Sequence, residues 1–241
     1  MAVKVTSAVH TVADYQAAFD AECGQAYPMI DAFEARAGVA IDEGRLRAAA
    51  YLLACPLKAH PPNWQHGRVL YAAAVQHFEA YRGHALVLDI GTAKGFSALC
   101  LQWALRDVGV TGHVVSVDVI DPCSRVPRNT VAELGAPLTL FELLRPWPEA
   151  ATITFRHMTG IDFLLGYQGR IDCAFIDGKH TGAVVAQEGL LLAERQQPGD
   201  LAIFDDVHLK DVRQAVSDLR AYNLEWISVS PLRAYAVGRR R

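Results

Sequence analysis

Three aspartates stand directly after apolar segments in the C-terminal half, where they could bind a cation. Asp177 follows one such segment, and Asp205 and Asp206 follow the next. The carboxyl ends of parallel strands meet at one edge of a sheet, so these carboxylates are expected to converge. Their mutual repulsion would raise their pKa values unless a cation lies among them, and all-oxygen ligation suits Mg²⁺ or a similar divalent ion. The sequence therefore predicts a metal site on Asp177, Asp205 and Asp206.

A purely structural interpretation of the same aspartates stays open. Asp205 or Asp206 could cap the following helix, and Asp177 could start a turn with Gly178.

Three side chains close to the aspartates could accept a proton. His180, Lys179 and His208 lie within three residues of a proposed metal ligand. Histidine titrates near neutrality, whereas lysine would need its pKa lowered by burial or by a nearby cation. His180 is therefore ranked first as a catalytic base, ahead of Lys179 and His208.

A second group of polar and glycine residues precedes a predicted helix over Phe96–Leu105. Gly91 permits a sharp turn, and Gly95 lets a ligand approach the backbone at the helix N-terminus, where an anionic group is favoured. The predicted cofactor-binding residues of this loop are Asp89, Gly91, Thr92, Gly95 and Ser97.

The predicted cofactor is S-adenosylmethionine. Asp118 ends the second predicted strand, where a carboxylate can accept hydrogen bonds from ribose hydroxyls. The loop lacks the G-x-G-x-x-G spacing that brings backbone close to a pyrophosphate, and S-adenosylmethionine has no pyrophosphate. Thr159 and Gly160 follow the third strand, where they could contact an adenine edge. Asp177 is assigned to the cofactor as well as to the metal, while Asp162 could cap the next helix.

The pattern around these residues predicts an α/β fold. Apolar segments alternate with helical stretches from residue 84 onwards, which is typical of a Rossmann-like, doubly wound, mostly parallel sheet. The seven predicted strands are Ala85–Ile90, His113–Asp118, Thr152–Phe155, Ile171–Ile176, Leu201–Phe204, Trp226–Val229 and Ala234–Val237. The last two are joined by too few residues for a parallel crossover, so the final strand is expected to be antiparallel. The last residues, from Gly238, are interpreted as a solvated tail.

Residues 1–82 are predicted to form a helical N-terminal extension or lid, and residues 83–241 the cofactor-binding domain. Apolar residues recur at helical spacing over residues 10–82. The prolines of Cys55–Pro62 predict an irregular linker there, followed by a helix over Asn63–Tyr81. Trp64, Gln65 and His66 could close over a cofactor, although packing is the commoner role of such a tryptophan.

Composition limits the partners and the compartment. The formal net charge of −3 gives no overall electrostatic reason to expect nucleic acid, and 51% hydrophobic residues suffice for a packed core. Five cysteines without a C-x-x-C pair are interpreted as reduced, and no apolar run approaches a membrane span. The expected partners are a small-molecule acceptor and no membrane, the expected location is cytoplasmic, and the helical extension would suit a homodimer interface.

The residues from about 60 to 237 resemble class I methyltransferases. The segments Asp89–Ser97, Phe175–His180 and Phe204–His208 are similar to those of cation-dependent O-methyltransferases, which include catechol and caffeoyl-CoA enzymes and macrocin-type sugar O-methyltransferases. The catechol and caffeoyl-CoA enzymes carry lysine where this chain has His180, and asparagine where it has Asp206. The histidine is more similar to the sugar and macrolide branch.

This resemblance implies O-methylation of a small polyhydroxylated, sugar-bearing or natural-product acceptor. Two alternatives remain: a metal-independent methyltransferase in which Asp205 and Asp206 position the substrate, and a binding protein that keeps the fold without the chemistry. A dehydrogenase fits less well because the glycine spacing differs from a dinucleotide site.

Overall fold

The computed structural model describes residues 10–57 and 62–241. The described residues form nine α-helices: α1 (Val12–Cys23), α2 (Pro28–Ala37), α3 (Glu43–Ala49), α4 (His66–Phe78), α5 (Phe96–Val108), α6 (Leu140–Leu144), α7 (Gly160–Gly166), α8 (Gly182–Ala193) and α9 (Lys210–Asp218). A π-helical turn, Ala50–Ala54, follows α3, and 3₁₀ turns cover Val131–Glu133 and Pro148–Thr152. Half of the linker predicted over Cys55–Pro62, residues 58–61, lies outside the described residues, and the other half belongs to no helix or strand.

Seven strands form one sheet in the described part of the chain: β1 (Ala85–Ile90), β2 (Gly112–Asp118), β3 (Thr154–His157), β4 (Cys173–Ile176), β5 (Leu201–Phe204), β6 (Tyr222–Ser230) and β7 (Arg233–Arg240). Their order is β3-β2-β1-β4-β5-β7-β6. The first five strands pair in parallel, and β7 runs antiparallel between β5 and β6. The mostly parallel, Rossmann-like sheet and its antiparallel last strand are therefore confirmed.

Side chains of β1 alternate between two hydrophobic cores on opposite faces of the sheet. Ala85 and Val87 pack in the core that contains α2, α4 and α5, while Leu86 and Leu88 pack in the core beneath α7, α8 and α9. The N-terminal helices share the first core with the sheet, so they are held by apolar packing. The helical character of the extension is confirmed for the described residues, and its separation at residue 82 stays a prediction.

Several predicted boundaries differ from the structure. The strand β7 continues through Arg240, so the interpretation of the last residues from Gly238 as a solvated tail is wrong. Arg240 pairs with Tyr222 in the register of β6 and β7, and its guanidinium donates to the carbonyl oxygen of Ala193 at 3.2 Å. A charged residue can continue a strand when its backbone pairs with the neighbouring strand and its side chain donates a hydrogen bond to a nearby carbonyl oxygen.

In the part of the chain that the structure describes, no helix combines the length and apolar character needed to cross a membrane.

Candidate active site

The parallel register brings the predicted site residues to one edge of the sheet. Ile90 pairs with Ile176, and Ile176 pairs with Phe204, so the loops that follow β1, β4 and β5 begin side by side. Because β7 runs the other way, its first residue, Arg233, also meets this edge. The glycine loop and the acidic residues therefore face each other across adjacent strand ends.

Gly91 lies against the backbone of the β4 loop. Its φ is +101°, and a Cβ atom there would come within 2.2 Å of the carbonyl oxygen of Asp177. Only glycine combines this backbone conformation with this approach. Gly91 therefore joins the glycine loop directly to the first aspartate of the acidic group.

Gly95 is the N-cap of α5, with φ +80°, and no side chain caps that helix end in the structure. The amide of Gly95 donates to the carbonyl oxygen of Thr92 at 2.6 Å, which closes the loop. Phe96 and Ser97, at the start of α5, line a cavity of about 280 Å³, here called the inner cavity. A helix N-terminus without a side-chain cap beside this cavity favours an anionic group such as a carboxylate.

Asp89 lies beneath the glycine loop and is completely buried. Ser116 donates to its Oδ2 at 2.5 Å, and because this uses the Ser116 hydroxyl proton, Ser116 Oγ accepts from Thr92 Oγ1 at 2.6 Å. Burial raises the pKa of Asp89 to about 7, against the opposing hydrogen bonds of Ser116 and Ser97. The structure thus places Asp89 as a support of the loop, with Ser116 as a partner that sequence reasoning missed.

Asp118 sits at the end of β2 beside the glycine loop. Its Oδ2 accepts the amide of Ala93 at 2.8 Å, and its Oδ1 accepts that of Ile120 at 2.8 Å. The carboxylate is thereby fixed in orientation, while the side chain stays partly accessible. This position agrees with the predicted contact to ribose hydroxyls, which stays a proposal.

The third strand end has a different cap from the one considered in the sequence. Thr159 is the N-cap of α7: its Oγ1 accepts the amide of Asp162 at 3.0 Å and donates to the Asp162 carboxylate at 2.6 Å. The idea that Asp162 itself is the cap is wrong, because Thr159 precedes the first helical residue. A Cβ on Gly160 would come within 2.6 Å of Glu188 Oε1, so this glycine accommodates a buried carboxyl group.

The pH dependence of protein stability can test the environment of Glu188, which lies beneath this loop. The side chain is buried, its Oε2 has no hydrogen-bond partner among the described residues, and burial raises the pKa of Glu188 to about 7. In the native state the Glu188 carboxyl group therefore keeps its proton at pH values where the unfolded chain, with a pKa near 4.3, has lost it. The free energy of unfolding consequently falls as the pH rises towards 7. Relative to Glu188→Gln, we expect the wild type to lose on the order of 3 kcal/mol of unfolding free energy between about pH 4 and pH 8.

Urea unfolding of both proteins across this pH range measures the difference. Since glutamine does not titrate, a stability difference that is independent of pH would show that Glu188 is hydrated or paired.

Three groups of the acidic loops lie together as possible ligands of a metal. One atom each from Asp177, His180 and Asp206 can be chosen so that all lie within 4.8 Å of one another. His180 Nδ1 is 2.5 Å from Asp206 Oδ2 and 3.7 Å from Asp177 Oδ1. Asp205 is adjacent but more buried, and its Oδ1 accepts the backbone amide of Asp206 at 2.6 Å. The structure therefore brings His180 into the group that the sequence assigned to three aspartates.

Asp206 has the backbone conformation of a constrained residue, with φ +54°. Left-handed backbone costs free energy in non-glycine residues and tends to persist where the surroundings or the function demand it. The N-cap of α9 is Leu209, so the alternative in which Asp205 or Asp206 caps this helix is wrong. The carboxylate of Asp206 instead contacts His180.

The electrostatics show an excess of negative charge at this edge. Burial, followed by the charges of Asp205 and Asp206, raises the pKa of Asp177 well above its usual value. Burial and Asp206 likewise raise the pKa of Asp205. Burial acts to raise the pKa of Asp206 as well, but the hydrogen bond and charge of His180 outweigh it, and that pKa is lowered. Added positive charge would therefore stabilise the ionised aspartates.

Two cavities meet at this group. The inner cavity is lined by the glycine loop together with Asp177, His180, Asp205 and Asp206. A larger cavity of about 820 Å³, here called the outer cavity, lies between α1 and the start of β7. The residues that line both are Pro56, Pro62, Asn63, Asp206 and Arg233. A small molecule in the outer cavity would thus adjoin a ligand on the glycine loop.

The three candidate bases occupy different places. His208 lines the outer cavity, with Nδ1 3.7 Å from Asp206 Oδ1. Burial lowers the pKa of His208, partly opposed by Asp206, which keeps the ring neutral at physiological pH. His180 lines the inner cavity, whereas Lys179 is exposed and lines neither cavity.

Among the lid residues, His66 lines the inner cavity, stacked on Phe175 at 6.0 Å, and burial lowers its pKa to about 3. Trp64 packs instead on Phe19, with ring centroids 4.9 Å apart. Sequence reasoning missed two residues of this site, Asn63 and Arg233. Asn63 Nδ2 donates to Tyr235 Oη at 2.8 Å. The antiparallel direction of β7 was the available signal for Arg233, because it returns the start of that strand to the site edge.

A known family model matches the part of the chain that carries these loops. Residues 88–207 match a family model described as a methyltransferase domain, and this range runs from the second half of β1 through β5, with the glycine loop and the acidic loops. No curated protein sequence matches the chain significantly.

Solved structures of similar fold cover almost the whole chain. The O-methyltransferase from Bacillus cereus, in complex with SAH (S-adenosylhomocysteine), is 15% identical, with a TM-score of 0.54 and coverage of 95% of this chain and 97% of its own. TomG from Streptomyces achromogenes, an O-methyltransferase involved in tomaymycin synthesis and solved with SAM, is 16% identical, with a TM-score of 0.54 and coverage of 84% and 92%. A methyltransferase from Geobacter sulfurreducens is 18% identical, with a TM-score of 0.51 and coverage of 97% and 100%. At these identities the likeness shows the fold.

Proposed function

From the match of residues 88–207 to a methyltransferase domain and from the Rossmann-like fold, we propose that this chain is a class I, S-adenosylmethionine-dependent O-methyltransferase assisted by a divalent cation. The observation that supports this most is the shared inner cavity, in which the glycine loop faces Asp177, His180 and Asp206. A donor on the loop and an acceptor oxygen near the aspartates would then meet in one space. Methyl transfer is an in-line displacement, so this alignment is the main requirement.

The donor groups of the acidic loops fit a cation such as Mg²⁺ or Mn²⁺. Asp177 and Asp206 supply carboxylate oxygens, His180 supplies Nδ1, and the raised pKa values of Asp177 and Asp205 reflect negative charge in need of compensation. When bound, the cation lowers the pKa of an acceptor hydroxyl and fixes its oxygen. Asp205 positions Asp206 through its backbone amide.

We propose His208 as the catalytic base, although the sequence ranked His180 first. His180 is held by Asp206, which suits a metal ligand, whereas neutral His208 faces the outer cavity. In the proposed reaction the acceptor oxygen forms a bond to the sulfonium methyl carbon, and the carbon–sulfur bond breaks to release S-adenosylhomocysteine. His208 takes the hydroxyl proton. Asp118 and the loop residues from Gly91 to Ser97 hold the donor, and Thr159 and Gly160 flank its adenine.

Binding of S-adenosylhomocysteine tests the donor half. Isothermal titration should show binding to the wild type, and Asp118→Ala should weaken it by about 10- to 100-fold, since two charge-assisted hydrogen bonds are lost. Asp121→Ala is a matched control, because its carboxylate accepts the amide of Cys123 within the next turn. Absence of binding to the wild type would refute the donor site.

The acceptor is proposed to be a small polyhydroxylated, sugar-bearing or natural-product molecule. The outer cavity, at about 820 Å³, has the size of small-molecule sites. Action in the cytoplasm and pairing of two chains through the N-terminal helices remain part of the proposal. Release of S-adenosylhomocysteine with an acceptor panel would distinguish the enzyme from a silent binding protein.

A further inference from the structure

Among the described residues, Arg233, which lies on the wall between the two cavities, has no close acidic partner. Its nearest acidic contact joins Nη1 to Asp206 Oδ1 at 3.8 Å, which is beyond hydrogen-bond distance. No described residue accepts a hydrogen bond from its guanidinium, and about a third of the side chain is exposed. The fork of donors is therefore available to a ligand.

The rest of the outer cavity offers mostly apolar contact. Its apolar lining residues are Ala18, Ala21, Ala26, Pro56, Leu57, Pro62, Val229 and Leu232. Glu22, the other acid of this wall, is buried and accepts a short hydrogen bond from Tyr27 Oη. Glu22 is thus engaged by its own neighbour, and Arg233 is left as the group that can pair with an anion.

We propose that the outer cavity binds an acceptor that carries a carboxylate, with the carboxylate on Arg233 and the reacting hydroxyl beside Asp206 and His208. This inference rests on the proposed O-methyltransferase function and adds the chemical class of its substrate. Arginine matches a planar carboxylate through two parallel hydrogen bonds. A cation on Asp206 would further release Arg233 from its weak ion pair.

A carboxylate fits better than a phosphate for electrostatic reasons. The site offers one guanidinium, with the acidic groups Glu22 and Asp206 on the same wall. A doubly charged phosphate would experience stronger repulsion from these acids and would leave part of its charge unpaired. A singly charged carboxylate experiences weaker repulsion from these acids, and both of its oxygens can pair with the guanidinium of Arg233.

Paired probes isolate the carboxylate. The protein saturated with S-adenosylhomocysteine and Mg²⁺ is titrated with 3,4-dihydroxybenzoate and with 3,4-dihydroxybenzamide, which share the diol and differ in charge. We expect the acid to bind at least about 10-fold more tightly than the amide, as for a charge-assisted pair. Arg233→Met should reduce this ratio to about 1, and Arg233→Lys should give an intermediate ratio.

Arg36→Met provides the charge control, because Arg36 forms an exposed surface pair with Glu225 and lines neither cavity. It should keep the wild-type ratio. Equal binding of acid and amide, no binding of the acid, or a preference that survives Arg233→Met would overturn the inference. Loss of S-adenosylhomocysteine binding in the wild type would instead refute the proposed function on which it rests. A wild-type circular dichroism spectrum and a urea-unfolding midpoint close to that of the wild type would show that Arg233→Met is folded.

Discussion

Replacing Gly91 by alanine is expected to abolish binding of S-adenosylhomocysteine and to lower the free energy of unfolding by about 3 kcal/mol. The new Cβ would lie 2.2 Å from the carbonyl oxygen of Asp177. Because that atom belongs to the backbone of the neighbouring strand end, no rotation of a side chain can relieve the contact. The positive φ adds strain that alanine does not tolerate.

Gly166→Ala is the matched control for this change. Gly166 ends α7, and a Cβ there would meet no atom within 4 Å. Urea unfolding and isothermal titration should leave this control close to the wild type. A Gly91→Ala protein that binds the ligand with wild-type affinity would contradict the close approach of the two loops.

Replacing Asp177 by asparagine is expected to lower kcat by about three orders of magnitude, since a cation supplies several kcal/mol of charge stabilisation. The affinity for Mn²⁺ should fall in parallel, because an ionised ligand is lost. Stability should not fall, because burial and the charges of Asp205 and Asp206 already disfavour the Asp177 anion. Removal of metal by EDTA should reduce wild-type turnover to a similar degree.

His208→Gln separates proton transfer from metal binding. We expect it to lower kcat by about 10²- to 10⁴-fold while the Mn²⁺ affinity stays close to wild type. His180→Gln should weaken Mn²⁺ binding and remove nitrogen coupling from the electron paramagnetic resonance spectrum of bound Mn²⁺. Full activity after complete metal removal would show that the acidic group serves the fold only.

The sheet could be predicted because most of its strands are apolar segments that can be recognised in the sequence. Segments such as Ala85–Ile90, apolar except for Asp89, are expected to be buried, and their alternation with helices leaves few alternatives to a parallel sheet. The last strand was harder, because the ends of β7 are polar and are held by backbone pairing with β6. Patterns of hydrophobicity cannot reveal a strand end of that kind.

Site residues whose positions follow from the strand topology could be predicted. Contacts that depend on local backbone conformation and side-chain packing could not. Asp177 and Asp205 follow parallel strands, so their convergence follows from topology. His180 contacts Asp206, whose backbone is left-handed, and no local sequence pattern predicts that conformation. Glu188 looks like an exposed helical residue in the sequence, but close packing at Gly160 buries it.

The central claim is that the methyl donor and the cation share the inner cavity. It is tested most directly by nuclear magnetic resonance of S-adenosylmethionine carrying a ¹³C-labelled methyl group, bound to the protein and titrated with Mn²⁺. We expect strong paramagnetic broadening of the methyl signal in the wild type and its loss in Asp177→Asn at a cofactor concentration that saturates the variant. A sharp methyl signal in wild-type protein that demonstrably holds both cofactor and Mn²⁺ would contradict the account.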